Sequence, residues 1–167
     1  MPPLQRRIAV AGVLVAAIAI AWLLARHREP AEADVKPPRF VDLTARRGEA
    51  SRPVASGGEL SKGERLDFAL EVFDLCFVYV LKVRDGHPSL AWGHQAQDTV
   101  WSNGVYAPDW KGEQQGLAFD APGEVALYAV ASPKPLVGVA DWDVAALERP
   151  GERCPRCGVS KVHVTVR

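Results

Sequence analysis

Residues 8–25 read IAVAGVLVAAIAIAWLLA, eighteen positions without a charge, and no other stretch restricts the chain so tightly. A helix rises about 1.5 Å per residue, so this run covers roughly 27 Å, close to the hydrocarbon thickness of a bilayer. An amphipathic core helix keeps one polar face, and this run has none. Arg6 and Arg7 precede it and Arg26, His27 and Arg28 follow, so both ends suit lipid headgroups. Trp22 sits near the far boundary, where indoles concentrate. The pattern predicts one transmembrane helix with a tethered domain after it.

Two readings of the segment compete. A charged start, an apolar middle and the small residues Ala31-Glu32-Ala33 imitate a cleaved secretory signal. The apolar part is longer than a usual signal core, and Arg26 to Glu29 separate it from those small residues, which favours an uncleaved anchor. Arg26, Arg28, Lys36 and Arg39 outnumber Arg6 and Arg7, and by the positive-inside count this leans towards a cytoplasmic domain. The signal-like start and a cysteine pair near the C-terminus argue for export. Arginine outnumbers lysine and there is a single asparagine, a bias typical of GC-rich bacterial genomes. The expectation is a single-pass protein of a bacterial inner membrane with its C-terminal domain in the periplasm. Gly12 and Ala16, with Ala17, Ala21 and Ala25, have the small-xxx-small spacing of close helix pairs, although an alanine-rich run produces such spacings by chance.

The rest divides into a basic tail (1–7), the anchor (8–25), a linker with one short strand (26–58) and a folded domain (59–167). The linker text EPAEADVKPP disfavours helix at both prolines and at the residue before them. Phe40 to Leu43 suits the short strand, and Arg46 to Gly58 is loop-like in composition. In 64–73, Leu66, Phe68, Leu70 and Val72 alternate with Arg65, Asp67, Ala69 and Glu71, the period of a half-buried strand. Leu75 to Val83 is apolar on both faces, as in a strand covered on two sides. Asp85-Gly86 is a hairpin signal, with a return strand at Ser89 to Trp92. Val105-Tyr106, Leu117 to Phe119, Glu124 to Ser132 and Val162 to Val166 suit further strands, and Asp141 suits the cap of a short helix carrying Trp142, Ala145 and Ala146 on one side. The fold class predicted is all-β, a mainly antiparallel β-sandwich with one short helix.

Several of these features run in one order: Gly63 opening an alternating strand, Phe77 to Val83, the Asp85-Gly86 turn, Ala121-Pro122-Gly123-Glu124, and Ala131-Ser132 before Pro135-Leu136. In this the chain, over about residues 60–137, resembles a bacterial envelope-associated domain of unknown function. That all-β module is also found C-terminal to kinase-like and caspase-like domains. The family carries an aromatic-Pro-Asn element where this chain has Trp92-Gly93-His94. The resemblance implies an accessory, binding module and brings no catalytic residue.

Cys154-Pro-Arg-Cys157 is the sharpest chemical signal. Two thiols at this spacing suit half of a tetrahedral zinc site, a local disulfide, or a redox pair if they stand at a helix N-terminus. Export favours the disulfide and a reducing compartment favours zinc. Cys76 lies in an apolar strand and reads as a small hydrophobe. His87 and His94 read as loop residues, and Asp141 and Asp143 as capping residues. No Gly-x-Ser-x-Gly elbow or phosphate-binding glycine loop occurs, so no enzyme, and no cofactor beyond the zinc alternative, is expected. Twenty basic residues balance twenty acidic ones, which argues against a nucleic-acid partner. Trp92, Trp101, Tyr106 and Trp110 cluster in a polar, glycine-containing segment. They suit either plugs at the sandwich edge or an aromatic surface for a partner at the envelope.

Overall fold

The computed structural model describes residues 34–92, 103–110 and 116–167; the apolar run 8–25, His94 and Trp101 lie outside them. Among the described residues no helix is long and apolar enough to cross a membrane.

The chain is mainly β. Among the described residues nine strands are formed: β1 (Arg39–Arg47), β2 (Ala50–Pro53), β3 (Gly58–Leu60), β4 (Arg65–Val72), β5 (Phe77–Arg84), β6 (His87–Trp92), β7 (Gly104–Tyr106), β8 (Gly123–Ser132) and β9 (Gly158–Val166). They make a four-stranded sheet in the order β2-β1-β4-β7 and a five-stranded sheet in the order β3-β9-β8-β5-β6. All pairs are antiparallel except β3 with β9.

The alternation in β4 dictates its place. Leu66, Phe68, Leu70 and Val72 face inwards and meet Val78 and Val80 of β5, Val125 and Leu127 of β8 and Val164 and Val166 of β9 in one core. Each large apolar side chain fully buried there is favourable by about 1.5–3 kcal/mol. The two-sided apolar character of β5 and β8 has a different cause. Their other face, with Tyr79, Leu81, Val83, Tyr128 and Val130, supports a second apolar layer of Val139, Trp142, Ala146, Leu147 and Cys154. That cover is built from a 3-10 turn at Val139–Asp141, the helix α1 (Val144–Glu148) and a 3-10 turn at Pro150–Glu152. The larger sheet is thus covered on both faces.

The hairpin at Asp85-Gly86 is as expected: both residues have positive φ, 50° and 77°, the backbone of a type I′ turn. Other details differ from the sequence reading. Residues 46–58 are not a plain loop but hold the end of β1, all of β2 and the start of β3, so the sandwich begins ahead of residue 59. All four residues of β2 are exposed on a sheet edge, which is why their composition resembles a loop. Leu117 makes only an isolated bridge to Leu66. Asp143, not Asp141, caps α1, accepting from Ala146 N at 2.7 Å, so Trp142 precedes the helix and Ala145 faces solvent. Cys76 directly precedes β5, after the bend at Asp74-Leu75, rather than lying in the middle of the strand, and it is buried.

Candidate functional site

The end of the sandwich where the described chain begins gathers the residues with the most definite chemistry. Cys154 and Cys157 are joined by a disulfide, with their Cα atoms 5.4 Å apart. The two residues between them form a turn, in which Cys157 N–H donates to the Cys154 carbonyl at 3.1 Å. Cys154 is buried against the second apolar layer, with its Sγ 3.7 Å from the Ser132 hydroxyl, and Cys157 is half-buried. Ser132 Oγ donates to the Lys134 carbonyl at 2.6 Å, which ties the end of β8 to the same place.

The turn also supports the incoming chain. Val35 N–H donates to the Arg156 carbonyl at 3.0 Å, and Lys36 N–H donates to Asp74 Oδ2 at 2.8 Å. A Cβ at Gly158 would come within 2.4 Å of Pro37 N, so only glycine lets the two segments cross there.

This arrangement bears on the competing readings of the cysteine pair. Bonded to one another, the sulfurs offer no thiolate to a metal. Among the described residues no group of three or more His, Cys, Asp or Glu is assembled to hold an ion. The pair sits in a turn leading into β9, not at the N-terminus of a helix where a dipole would lower a thiol pKa. Burial, reinforced by the charge of Asp74, pushes the Cys76 thiol up to about 11, so it stays protonated at neutral pH.

The aromatic residues pack against the core between the two sheets. Phe68 is their hub, with ring centroids 5.8 Å from Phe40, 6.0 Å from Trp92 and 6.0 Å from Trp110, all edge-on. Trp92, Tyr106 and Trp110 are half-buried and pack against the core. Trp110 Nε1 donates to Asp67 Oδ1 at 2.7 Å, while Asp67 Oδ2 lies 3.3 Å from Arg46 Nη2. The structure therefore brings Trp92, Tyr106 and Trp110 to one flank, each with part of its surface open. Its anchoring residue, Phe68, was legible only as one inward position of an alternating strand. His87 is exposed at the start of β6, and Asp141 and Asp143 are exposed at the cover.

A third polar cluster lies on the outer cover. Tyr128 OH donates to Glu148 Oε1 at 3.2 Å, and Lys161 Nζ reaches the same oxygen at 3.1 Å while lying 4.9 Å from the Tyr128 ring centroid. The Lys161 and Tyr128 hydrogen bonds hold the Glu148 carboxyl below its ordinary range. This cluster joins α1 to the sheet.

No family model matches the chain, and no curated protein matches it either.

Proposed function

We propose that this protein is a membrane-tethered, non-enzymatic accessory module of the bacterial cell envelope, with an extracytoplasmic β-sandwich that binds another envelope component. The observation that carries the reading is the Cys154–Cys157 disulfide, closed within a turn that supports the incoming chain. Disulfides persist in oxidising compartments, which fits an exported domain. The uncharged run 8–25 supports the tether, and the resemblance to the envelope-associated domain of unknown function supports an accessory role. The open parts of Trp92, Tyr106 and Trp110 are the surface to which we assign partner binding.

The test is acid quenching of cells of a bacterial host and alkylation of the protein unfolded in denaturant, followed by intact-mass measurement without reductant. The expected protein has one alkylatable thiol, Cys76, and a mass two hydrogens below the fully reduced form. Three alkylated thiols would place the domain in a reducing compartment and overturn the extracytoplasmic assignment. A metal adduct in the native spectrum that is lost on denaturation would favour the zinc-stabilised alternative.

A further inference from the structure

Residues 35–38 run ahead of β1 without strand pairing of their own, with Val35 and Pro38 buried and Lys36 and Pro37 exposed. Because residues 37 and 38 are prolines, only Val35 and Lys36 bring an N–H to this stretch. Lys36 N–H donates to Asp74 Oδ2, and Val35 N–H donates to the Arg156 carbonyl, which stands between the two bonded cysteines. A Cβ at Gly158 would lie 2.5 Å from the Lys36 carbonyl carbon as well as close to Pro37. The stretch and the disulfide turn thus cross backbone against backbone.

The two cysteines are not equivalent. Cys154 is buried in the layer over β5 and β8, and Cys157 is half-buried. A thiolate arriving from solvent therefore reaches Cys157 Sγ more readily, which makes Cys154 the departing sulfur. Cys154 also has a partner suited to that state. Ser132 Oγ, 3.7 Å from Cys154 Sγ, gives its own proton to the Lys134 carbonyl and so can accept the S–H of a reduced Cys154. Sulfurs no longer bonded settle at van der Waals separation, at about 3.5–4.0 Å. With Cys154 held by its layer and by Ser132, Cys157 is the residue that turns away, and the adjoining Arg156 carbonyl moves with it.

We propose that the Cys154–Cys157 bond is a reducible latch on residues 35–38, opened by a dithiol. The first thiolate of the dithiol bonds to Cys157 Sγ, and Cys154 leaves as a thiolate that takes up a proton. The second thiol of the dithiol loses its proton and displaces Cys157 from the mixed disulfide, and Cys157 is protonated in turn. Two electrons and two protons pass to the protein, and the dithiol ends as its own disulfide. This chain needs no lowered thiol pKa for the step, because the attacking thiolate belongs to the dithiol. The bond joins cysteines only three positions apart, so it constrains the unfolded chain less than a long-range disulfide would. Opening it therefore leaves the sandwich folded and frees the stretch that rests on the turn. The inference rests on the disulfide itself and not on the compartment or the partner surface assigned above.

The test is hydrogen exchange of the full chain in detergent micelles, read by mass spectrometry, with and without dithiothreitol as the dithiol. Intact mass after alkylation in denaturant gives the thiol count of each sample. Conversion from the single thiol of Cys76 to three thiols is expected to quicken exchange of the peptide holding Val35 and Lys36 about tenfold, with β8 unchanged. Oxidised glutathione, added after removal of dithiothreitol, should restore both the bond and the protection. The double variant Cys154→Ser, Cys157→Ser should exchange at one rate with or without dithiothreitol, and a response there would overturn the latch by assigning the effect elsewhere. In single variants, Cys157 of Cys154→Ser should react with a disulfide reagent about tenfold faster than Cys154 of Cys157→Ser, and the reverse order would overturn attack at Cys157. Three thiols with unchanged exchange at Val35 would overturn the latch, as would a bond that dithiothreitol reduces only in urea. Equal quickening of β8 would overturn it too, since the bond would then hold the whole fold. The central comparison uses the unaltered chain, so it stands should a variant misfold. The extracytoplasmic assignment is decided separately, by the thiol count in quenched cells.

Discussion

Val35 N–H donates to the carbonyl of Arg156 at 3.0 Å, so the incoming chain rests on the turn that the Cys154–Cys157 disulfide closes. A disulfide three residues apart in sequence constrains little chain, yet here it shapes the seat for a segment more than a hundred residues earlier. Cys154 adds a second contribution by filling the apolar layer over β5 and β8.

Replacing both Cys154 and Cys157 by serine should lower unfolding free energy by about 2 kcal/mol from lost loop constraint alone. Urea denaturation should show an earlier midpoint, and amide exchange at Val35 should quicken more than exchange in β8. Unchanged exchange at Val35 would show that the turn keeps its shape without the bond.

Gly158→Ala should cost about 1–3 kcal/mol, because backbone atoms of Lys36 and Pro37 occupy the space its Cβ needs and one segment has to move. Faster exchange at the Val35 and Lys36 amides, with β4 unaffected, is the expected signature in a mass-spectrometric exchange experiment.

Phe68→Ala removes the ring that Phe40, Trp92 and Trp110 meet edge-on, and a loss of about 3–5 kcal/mol is expected. Trp110→Phe keeps a ring there but removes the donor to Asp67. Its cost should be about 1.5 kcal/mol, the low end for a bond to a charged partner, since Asp67 retains its contact with Arg46. Equilibrium unfolding of the two variants, monitored by circular dichroism, measures both.

Glu64 accepts from Arg52 Nη2 at 2.7 Å and from Ser61 N–H at 2.8 Å, and these bonds, the Arg52 bond foremost, hold its carboxyl below the ordinary value of 4.5. A carboxyl lowered in the folded state binds its proton less readily there than in the unfolded chain. Its stabilisation is therefore complete above the ordinary value and is lost as pH falls through the lowered one. Arg52→Gln should flatten that acid limb of a stability-against-pH curve, leaving the neutral region little changed because the pair is near the surface.

Cys76 should resist iodoacetamide in the folded protein at neutral pH, since it is buried and its thiol titrates near 11. Alkylation should appear only above the urea midpoint, with the labelled fraction tracking the unfolded fraction. Rapid labelling in native buffer would show that the bend at Asp74-Leu75 opens locally.

The elements that could be read from the sequence are those whose cause is local. The alternation of Leu66, Phe68, Leu70 and Val72 needs only an inside and an outside, and Asp85-Gly86 needs only residues that tolerate positive φ. The two-faced apolar pattern of Leu75 to Val83 likewise required cover on both sides, whatever supplied it. Which cover, and which neighbours, depended on distant residues. Leu60 reaches β9 as a parallel partner across more than a hundred residues, β2 pairs in its sheet with β1, and Trp110 finds Asp67 across forty-three positions. An exposed edge strand has no hydrophobic period to announce it, and a half-buried ring looks the same in sequence whether it plugs a core or meets a partner. Those outcomes were decided by tertiary packing, because strand pairing and desolvation depend on what the rest of the chain brings alongside.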